Sequence, residues 1–402
     1  MRDPSRVRVG GPLRRYAGGF REELEGQGYS PSTVVLHLQL MGHLSGWLAG
    51  EGLSGAALTG AQVDRYLAGR RSAGLACHRT RRSLLPLLGY LGGLGVLSAP
   101  AVSEPVPEVL AGYADYLRYE RGLADSTIRR NVELVEPLVA TLASGGEFGW
   151  ERLDGAAVSA FVVAHCRGRA DGGGSPARMF TALRSLLRFV HLAGLVGTPL
   201  VDAVPSVPCR RLAGLPKALS VEQVAALLGS CDTGTMVGRR DRAIITMLAR
   251  LGLRAGEVAA LRLDDIDWRN GEITLRGKGN RSERLPLPVD VGRAVVAYLT
   301  AERPATTTHR ELFGRVRAPH GPLTRLAVTQ LVARAAGRAG LAPVYAHRLR
   351  HTAATEMLRR GGSLTEIGQV LRHRRALTTA VYAKVDIEAL RLLARPWPGG
   401  VA

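Results

Sequence analysis

Two histidines and two arginines lie within five residues of one another in the stretch HRLRHTAATEML, residues 347–358. At about 100° per residue, a helix would place His347, Arg350 and His351 on one side and would point Arg348 elsewhere. Such a cluster has three chemical interpretations: a metal site, a basic helix face lying on nucleic acid, or part of an active site that handles a phosphate.

The metal interpretation rests on the i, i+4 spacing of His347 and His351, which is the spacing of two zinc ligands on one helix face. The residue after His347 is Arg348 rather than a glutamate base, and Arg350 would set a cation beside the metal. A solvated basic face is the plainest alternative. We expect an anion rather than a metal ion beside this helix.

A further arginine stands at a predicted helix start. In LARLGLRAGEVAALRL, Arg254 follows a Gly-Leu break and Glu257 comes three residues later. A guanidinium at the beginning of a helix lies near free backbone N–H groups, which favours an anion, and Glu257 could hold it in place. Taken alone, the two residues are better explained as a surface ion pair on a helix.

Lysine is rare in this chain, since only Lys217, Lys278 and Lys384 are lysines among 54 basic residues. Lys278 lies in the Gly-rich turn of a predicted β-hairpin. A lysine beside a phosphate can donate a proton, whereas arginine remains protonated. We interpret Lys217 and Lys384 as linker and surface charge.

Taken together, these motifs resemble the tyrosine recombinase, or phage integrase, family of mobile elements. The resemblance runs from Lys217 to the C-terminus through GLRAGE, the hairpin lysine, HRLRHT, LRH and TTAVYAKV, in that order. It implies six catalytic residues, namely Arg254, Lys278, His347, Arg350, His373 and Tyr382. Glu257 and His351 would support them. The family usually has Leu-Gly-His where this chain has Leu371-Arg372-His373. The resemblance therefore does not predict the conformation of the turn at Arg372, although it keeps the histidine.

The resemblance also implies a chemistry: cleavage and rejoining of DNA strands through a covalent 3′-phosphotyrosine, without metal, ATP or other cofactor. The two arginines would clamp the phosphate, as planar bidentate guanidiniums can. Tyr382 would be the nucleophile, and His347 would help it to lose its proton. Lys278 would protonate the departing 5′ oxygen, while His373 would hydrogen-bond a phosphate oxygen. We interpret Tyr345, the competing tyrosine, as a packing residue.

Two other functions compete with site-specific recombination, integration or transposition. A type IB topoisomerase would use a similar phosphate site to relax supercoils without paired sites, but the motif spacing argues against it. A catalytically inactive, sequence-specific DNA-binding protein would have lost one or more active positions, and all six are filled.

The composition agrees with a nucleic-acid partner. The chain has 402 residues and a formal net charge of +20, which attracts polyanions through phosphate contacts and counterion release. No stretch reaches the roughly 18 apolar residues of a membrane span, and residues 1–11 lack an apolar signal-peptide core. We expect a cytoplasmic, nucleoid-associated bacterial protein without membrane contact. The scattered cysteines indicate reduced, structural thiols; they are Cys77, Cys166, Cys209 and Cys231.

The predicted fold is mainly α, with helical DNA-binding domains at residues 1–103 and 104–210 and an α-rich catalytic domain with a small β-hairpin at 211–402. The first two domains look like copies. Ser32-Thr33 recurs 94 residues later, LTGAQVDRYL resembles LDGAAVSAFV 95 residues later, and Arg82–Leu85 recurs as Arg184–Leu187. Repetition of this kind favours a duplicated helical unit, although a shared helix period alone could produce part of the match.

Within the third domain, Ser220 and Gln223 predict a capping box that starts a helix at 221–228. A second helix is expected at 240–251 and a hairpin at 271–288, followed by helices from 289 to about 393. By the resemblance, the second domain would bind core DNA. The first could grip further DNA, contact a neighbouring protomer or act as a spacer. We expect a homotetramer on two duplexes of double-stranded DNA, with possible accessory or partner recombinases.

Overall fold

The computed structural model describes residues 3–74, 80–97, 108–143, 149–150, 153–167, 176–206, 218–276, 282–300, 309–373 and 376–385. Within these ranges the chain is mainly helical with one small sheet, which confirms the predicted fold class. None of the described helices is both long and apolar enough to cross a bilayer. The Cα packing separates residues 98–210 from a unit formed by 1–97 and 211–402. The predicted domain boundaries stay a prediction.

The described residues of the first helical bundle form four α-helices: α1 (Ala17–Gly26), α2 (Pro31–Gly50), α3 (Gly60–Ser72) and α4 (Arg81–Gly93). The side chain of Ser30 accepts from the Thr33 backbone N–H and caps α2, which has Pro31 at its first position; proline fits there because that N–H has no helical partner. Apolar residues at helical spacing fill the core, among them Phe20, Leu38, Met41, Leu44, Leu84, Leu87 and Leu91.

The second bundle repeats this order with α5 (Glu108–Asp115), α6 (Asp125–Ala143), α7 (Gly155–Arg167) and α8 (Pro176–Leu192). Helices α6, α7 and α8 begin 94, 95 and 95 residues after α2, α3 and α4. In the last helix pair, the buried Leu84, Leu87 and Leu91 match a second buried set at the same offset, Met179, Ala182 and Leu186. The equal order and spacing support the predicted duplication.

The third domain begins with α9 (Val221–Gly229), α10 (Met236–Leu251) and α11 (Ala255–Ala260). The predicted capping box of Ser220 and Gln223 is present. Helix α10 begins four residues before the predicted start, because the Thr235 side chain accepts from the Gly238 N–H. It ends at Gly252, whose φ of +60° lies in the left-handed region that glycine adopts freely.

The sheet is antiparallel and consists of β1 (Ile266–Asp267), β2 (Glu272–Arg276) and β3 (Ser282–Pro286) in that order. Strands β2 and β3 form the predicted hairpin, with Ile273 opposite Leu285 and Arg276 opposite Ser282. The hairpin turn lies outside the described residues, as do Lys217, Lys278, Cys77 and Cys209.

The rest of the domain comprises α12 (Val289–Leu299), α13 (Arg325–Arg338), α14 (Ala346–Arg359), α15 (Leu364–Val370) and α16 (Ala376–Thr379), and a 3-10 turn (Ala380–Val385). The prediction of continuous helices from 289 was wrong at residues 309–324. There the chain is irregular and forms isolated bridges between Arg262 and Glu311 and between Gly314 and Pro322. Helix α10 supplies much of the core, through Ile244, Ile245, Met247 and Leu248.

Candidate active site

The third domain contains a cleft of about 1410 Å³ at the start of α11, the start of α14 and the segment after α15. Four of the six predicted catalytic residues line it, namely Arg254, His347, Arg350 and His373. Glu257 lines it as well. Lys278 lies outside the described residues, but Arg276 and Glu283, near the ends of the two hairpin strands, line the cleft.

Arg350 is buried in α14, with 3% of its surface exposed. Its Nη1 donates to the Gly252 carbonyl oxygen at 2.6 Å, and its Nη2 donates to the Leu371 carbonyl. Burial, and then the positive charge of Arg254, lower the pKa of Arg350 to about 10, so it still carries its charge at neutral pH. Both acceptors are uncharged, and therefore they orient the guanidinium without neutralising it.

Arg254 precedes α11 and is about half exposed. Its Nη1 donates to Glu257 Oε1 at 2.6 Å, and its Nη2 donates to the Arg372 carbonyl at 3.1 Å. Its backbone N–H donates to Glu257 Oε2 at 2.8 Å, so the carboxylate also caps the helix. Burial raises the pKa of Glu257, but these hydrogen bonds and the charges of Arg372 and Arg254 outweigh it and lower that pKa overall.

Arg372 has the left-handed backbone that glycine would adopt in the family pattern, with a φ of +56°. For an L residue this conformation costs about 1–2 kcal/mol. The side chain is 7% exposed, and its Nη2 donates to Glu257 Oε2 at 2.8 Å. Its Nη1 donates to the Val370 carbonyl at 2.8 Å. The turn therefore persists without glycine, and a third guanidinium joins the cleft wall.

Tyr382 lies in the 3-10 turn after α16 and is 2% exposed. Its hydroxyl is 2.9 Å from Nδ1 of His351, and the two rings meet edge to face with centroids 5.5 Å apart. Burial raises the pKa of Tyr382, although the charge of Arg350 opposes this. The predicted nucleophile is thus packed against α14 rather than among the residues that line the cleft.

Three neighbouring histidines, His347, His351 and His373, have a lowered pKa. Desolvation lowers the pKa of His351 to about 4, with further contributions from His347 and Arg350. Desolvation and the nearby arginines also lower the pKa of His373 to about 4, and they lower that of His347. The His347 ring contacts the His351 ring edge to face, with centroids 4.4 Å apart.

His373 is fixed by a residue that sequence reasoning did not single out. Its Nδ1 is 2.7 Å from Oγ1 of Thr379, which is 3% exposed. If the hydroxyl donates, Nδ1 is the acceptor and Nε2 carries the proton. The motif TTAVYAKV contained Thr379, but only the fold brings it to His373. Arg372 was also missed as a site residue, although the departure from Leu-Gly-His was its signal.

Tyr345 directly precedes α14 and lines the cleft with 54% of its surface exposed. The interpretation of Tyr345 as a packing residue was therefore wrong. This residue and Tyr382 have opposite environments, one open to solvent and one buried.

Comparison with known proteins shows which family the chain belongs to. The model of the phage integrase family matches residues 217–388. A protein provisionally described as integrase/recombinase y4rA, from Sinorhizobium fredii strain NBRC 101917 / NGR234, is 37% identical over 397 residues, which cover 97% of this chain and 95% of that protein. Tyrosine recombinase XerD of Mycobacterium tuberculosis strain H37Rv is 34% identical over 304 residues, covering 70% of this chain and 94% of XerD.

Among solved structures, the XerH site-specific recombinase bound to palindromic difH substrate, a post-cleavage complex, shares the fold with a TM-score of 0.56 at 18% identity. The match covers 73% of this chain and 97% of that one. The fold and the relatives define the class as tyrosine-type site-specific recombinases. The chain belongs to the phage integrase family, and the predicted resemblance is confirmed at this level.

Proposed function

We propose that this protein cleaves and rejoins double-stranded DNA at specific recombination sites through a covalent 3′-phosphotyrosine on Tyr382. One observation carries the proposal: a cleft lined by Arg254, Arg350 and two imidazoles borders the turn that holds this tyrosine. Lysine, arginine and neutral histidine around a phosphodiester suit phosphoryl transfer, which depends on positioning and charge stabilisation.

Arg254 and Arg350 would bind the nonbridging phosphate oxygens. Each guanidinium has five N–H donors and uses only part of them in the contacts described above. His373 would add a neutral donor from Nε2 once the Thr379 hydroxyl occupies Nδ1. Charge that develops on the phosphate during transfer would thus meet donors that are already oriented, which is the arrangement that lowers a barrier.

Tyr382 must leave its packed position before it can attack. In the reaction, its oxygen forms a bond to phosphorus as the bond from phosphorus to the 5′ oxygen breaks, and that oxygen takes a proton from Lys278. The phenol proton passes to a histidine. His347 was the sequence-based candidate, but in the described structure the tyrosine hydroxyl contacts His351. We propose that His351 holds the Tyr382 side chain in its packed position before the reaction. His347, which lines the cleft, would then accept the proton of the Tyr382 hydroxyl during the attack.

The helical bundles would hold the duplex, and the net charge of +20 would draw DNA to the protein. XerH was crystallised with its difH substrate, which supports DNA as the partner of a chain with the same fold. We further propose a homotetramer assembled on two sites, with possible partner recombinases, acting in the bacterial cytoplasm at the nucleoid.

The test uses a nicked suicide DNA substrate that traps the covalent protein–DNA adduct. Wild-type protein should form an adduct that survives denaturant, with the tyrosine linked to the 3′ phosphate. Tyr382→Phe should form none while still binding the same DNA, because the benzene ring lacks the attacking oxygen. The matched control is Tyr345→Phe, which should still form the adduct.

Three outcomes would contradict the proposal. An adduct in Tyr382→Phe that equals the wild-type yield would reject this nucleophile. Loss of the wild-type adduct in EDTA, with recovery on addition of a divalent metal, would reject the metal-independent mechanism. Relaxation of a supercoiled plasmid that carries no recombination site would instead indicate topoisomerase activity.

A further inference from the structure

Arg372 is the one non-glycine residue with positive φ in the described part of the chain, and it lines the cleft. An L residue is strained there, whereas glycine is not. Its side chain is almost fully buried, and its Nε–H has no hydrogen-bond partner among the described atoms. Two unfavourable features at one residue beside a cleft indicate that the side chain has a function.

We propose that Arg372 is a positioning residue that fixes the orientation of Arg254 by sharing Glu257 with it; this inference rests on the proposed function. Glu257 Oε1 accepts from Arg254 Nη1 at 2.6 Å, and Oε2 accepts from Arg372 Nη2 at 2.8 Å. The other terminal nitrogen of Arg254 donates to the carbonyl of Arg372 at 3.1 Å. The three residues form a closed ring of hydrogen bonds, which restrains the Arg254 fork.

Arg372 also changes the charge balance at the cleft. Arg254 and Glu257 alone would sum to zero, so the carboxylate would offset a charge that the phosphate needs. Arg372 pairs with the same carboxylate, and the three side chains together keep one net positive charge. An anion in the cleft therefore meets an oriented fork in a positive environment.

Two substitutions of Arg372 distinguish the effect of its side chain from the effect of its left-handed backbone conformation. Arg372→Gly keeps the left-handed turn and the carbonyl that accepts from Arg254, removes the ion pair with Glu257 and relieves the strain. Arg372→Ala removes the same ion pair but keeps the strain. If the side chain acts on Arg254, both variants lose activity to a similar extent although their stabilities differ.

The experiment measures the first-order rate constant of adduct formation on the nicked suicide substrate, with protein in excess, together with the melting temperature. We expect Arg372→Gly and Arg372→Ala to lower the rate constant about 10- to 100-fold, since misplacement of an orienting group has effects of this size. The glycine variant should melt at the higher temperature. Arg372→Lys, which keeps the charge without the fork, should fall between them and the wild type in rate.

The control is Arg310→Gln, which removes an exposed ion pair with Asp264. Arg310 is not among the residues that line the cleft, so the wild-type rate constant should be retained. A comparable loss in Arg310→Gln would show that the effect follows from removing any arginine, and it would overturn the proposal.

A double variant tests whether Arg372 acts through Arg254. In an Arg254→Lys background, Arg372→Gly should lower the rate constant less than about threefold, because the fork that Arg372 orients is already gone. If Arg372→Gly lowered the rate constant equally in the wild-type and Arg254→Lys proteins, or did not lower it in the wild-type protein, the role of Arg372 would be overturned. The proposed function would not be affected by either result. Absence of any adduct in the wild-type protein would overturn the proposed function and this inference with it.

Discussion

The arginines of the cleft and the neighbouring tyrosine segment differ in whether their functional groups are oriented toward a ligand. Arg254, Arg350 and Arg372 already donate to fixed carbonyl or carboxylate oxygens. Tyr382, in contrast, is 2% exposed and hydrogen-bonded to His351. Under the proposed function, such a protein would hold a phosphate before it exposes Tyr382, the proposed nucleophile.

The two sides also differ in the core that supports them. Helix α10 and the first turn of α14 belong to the large core of the third domain, through residues such as Ile245, Leu248 and Leu349. Tyr382 belongs to a separate cluster with three other buried residues, Ala354, Ile367 and Leu371. Segments with few buried apolar contacts open at low free energy. The segment that holds Tyr382 should therefore open more readily than α10, although the Leu371 carbonyl that accepts from Arg350 belongs to the same small cluster.

The largest expected effect is a loss of activity at Arg350, which we compare with Arg240, another buried arginine of the same domain. Arg350→Met removes a buried cation whose hydrogen-bond acceptors among the described residues are carbonyls, and under the proposed function activity should fall about 10²- to 10³-fold. Stability should change little, because relief of the buried charge offsets the lost hydrogen bonds. The measurements are the adduct rate constant and the urea unfolding midpoint.

The matched variant is Arg240→Met. Arg240 is also buried, but its Nη2 pairs with the buried Asp241 at 2.7 Å. Its removal leaves a buried carboxylate poorly paired and should cost about 3–5 kcal/mol of unfolding free energy. Strong destabilisation by Arg350→Met would show that this arginine holds the fold, and the proposed contrast would fail.

A smaller effect is expected at the contact between Thr379 and His373. Thr379→Val keeps the side-chain shape and removes the hydroxyl that bonds Nδ1 of His373. The ring then loses its fixed tautomer, and adduct formation should slow about fivefold to tenfold. Thr379→Ser restores the hydroxyl and should recover most of the rate. Equal losses in both variants would place the effect in packing rather than in the hydrogen bond.

In the tyrosine segment, substitution of His351 should raise the rate of adduct formation rather than lower it. His351→Phe keeps an aromatic ring beside Tyr382 but removes the hydrogen bond to its hydroxyl. One hydrogen bond is worth about 1 kcal/mol, so the packed state should weaken and the adduct should form up to about fivefold faster. Single-turnover kinetics would show this. A loss of activity would mean that His351 takes part in the reaction and does not merely store the phenol.

Much of the fold follows from local sequence patterns. The caps at Ser220 and Gly252 and the hairpin at β2 and β3 were predictable because each depends on a few neighbouring residues. The duplication was harder to place. The sequence pattern matched Arg82–Leu85 to Arg184–Leu187, an offset of 102 residues. In the structure, the helices that contain these segments begin 95 residues apart. The difference of seven residues is close to two helical turns and preserves the buried face, so periodicity alone could not detect the error.

The candidate site shows the same division. The motifs predicted which residues would gather at one site, and His347 and Arg350 do line the cleft. The partners could not, because Thr379, Arg372 and the Gly252 carbonyl reach the site only through tertiary packing. The buried position of Tyr382 was equally hidden, since a helical pattern does not reveal whether a tyrosine faces a cleft or the core.

The smallest expected effect is a pH dependence of stability. The folded pKa values of His351 and His373, about 4, lie below the ordinary value near 6.5. Between these pH values the unfolded chain binds protons that the folded chain does not, because Arg350 and the buried setting oppose a charged ring. Stability is therefore complete above about pH 6.5 and is lost as the pH falls toward about 4. Thermal unfolding at pH 7 and pH 5 should show a lower midpoint at pH 5. His373→Asn should reduce that difference, and an unchanged difference would show that His373 is not one of the titrating groups.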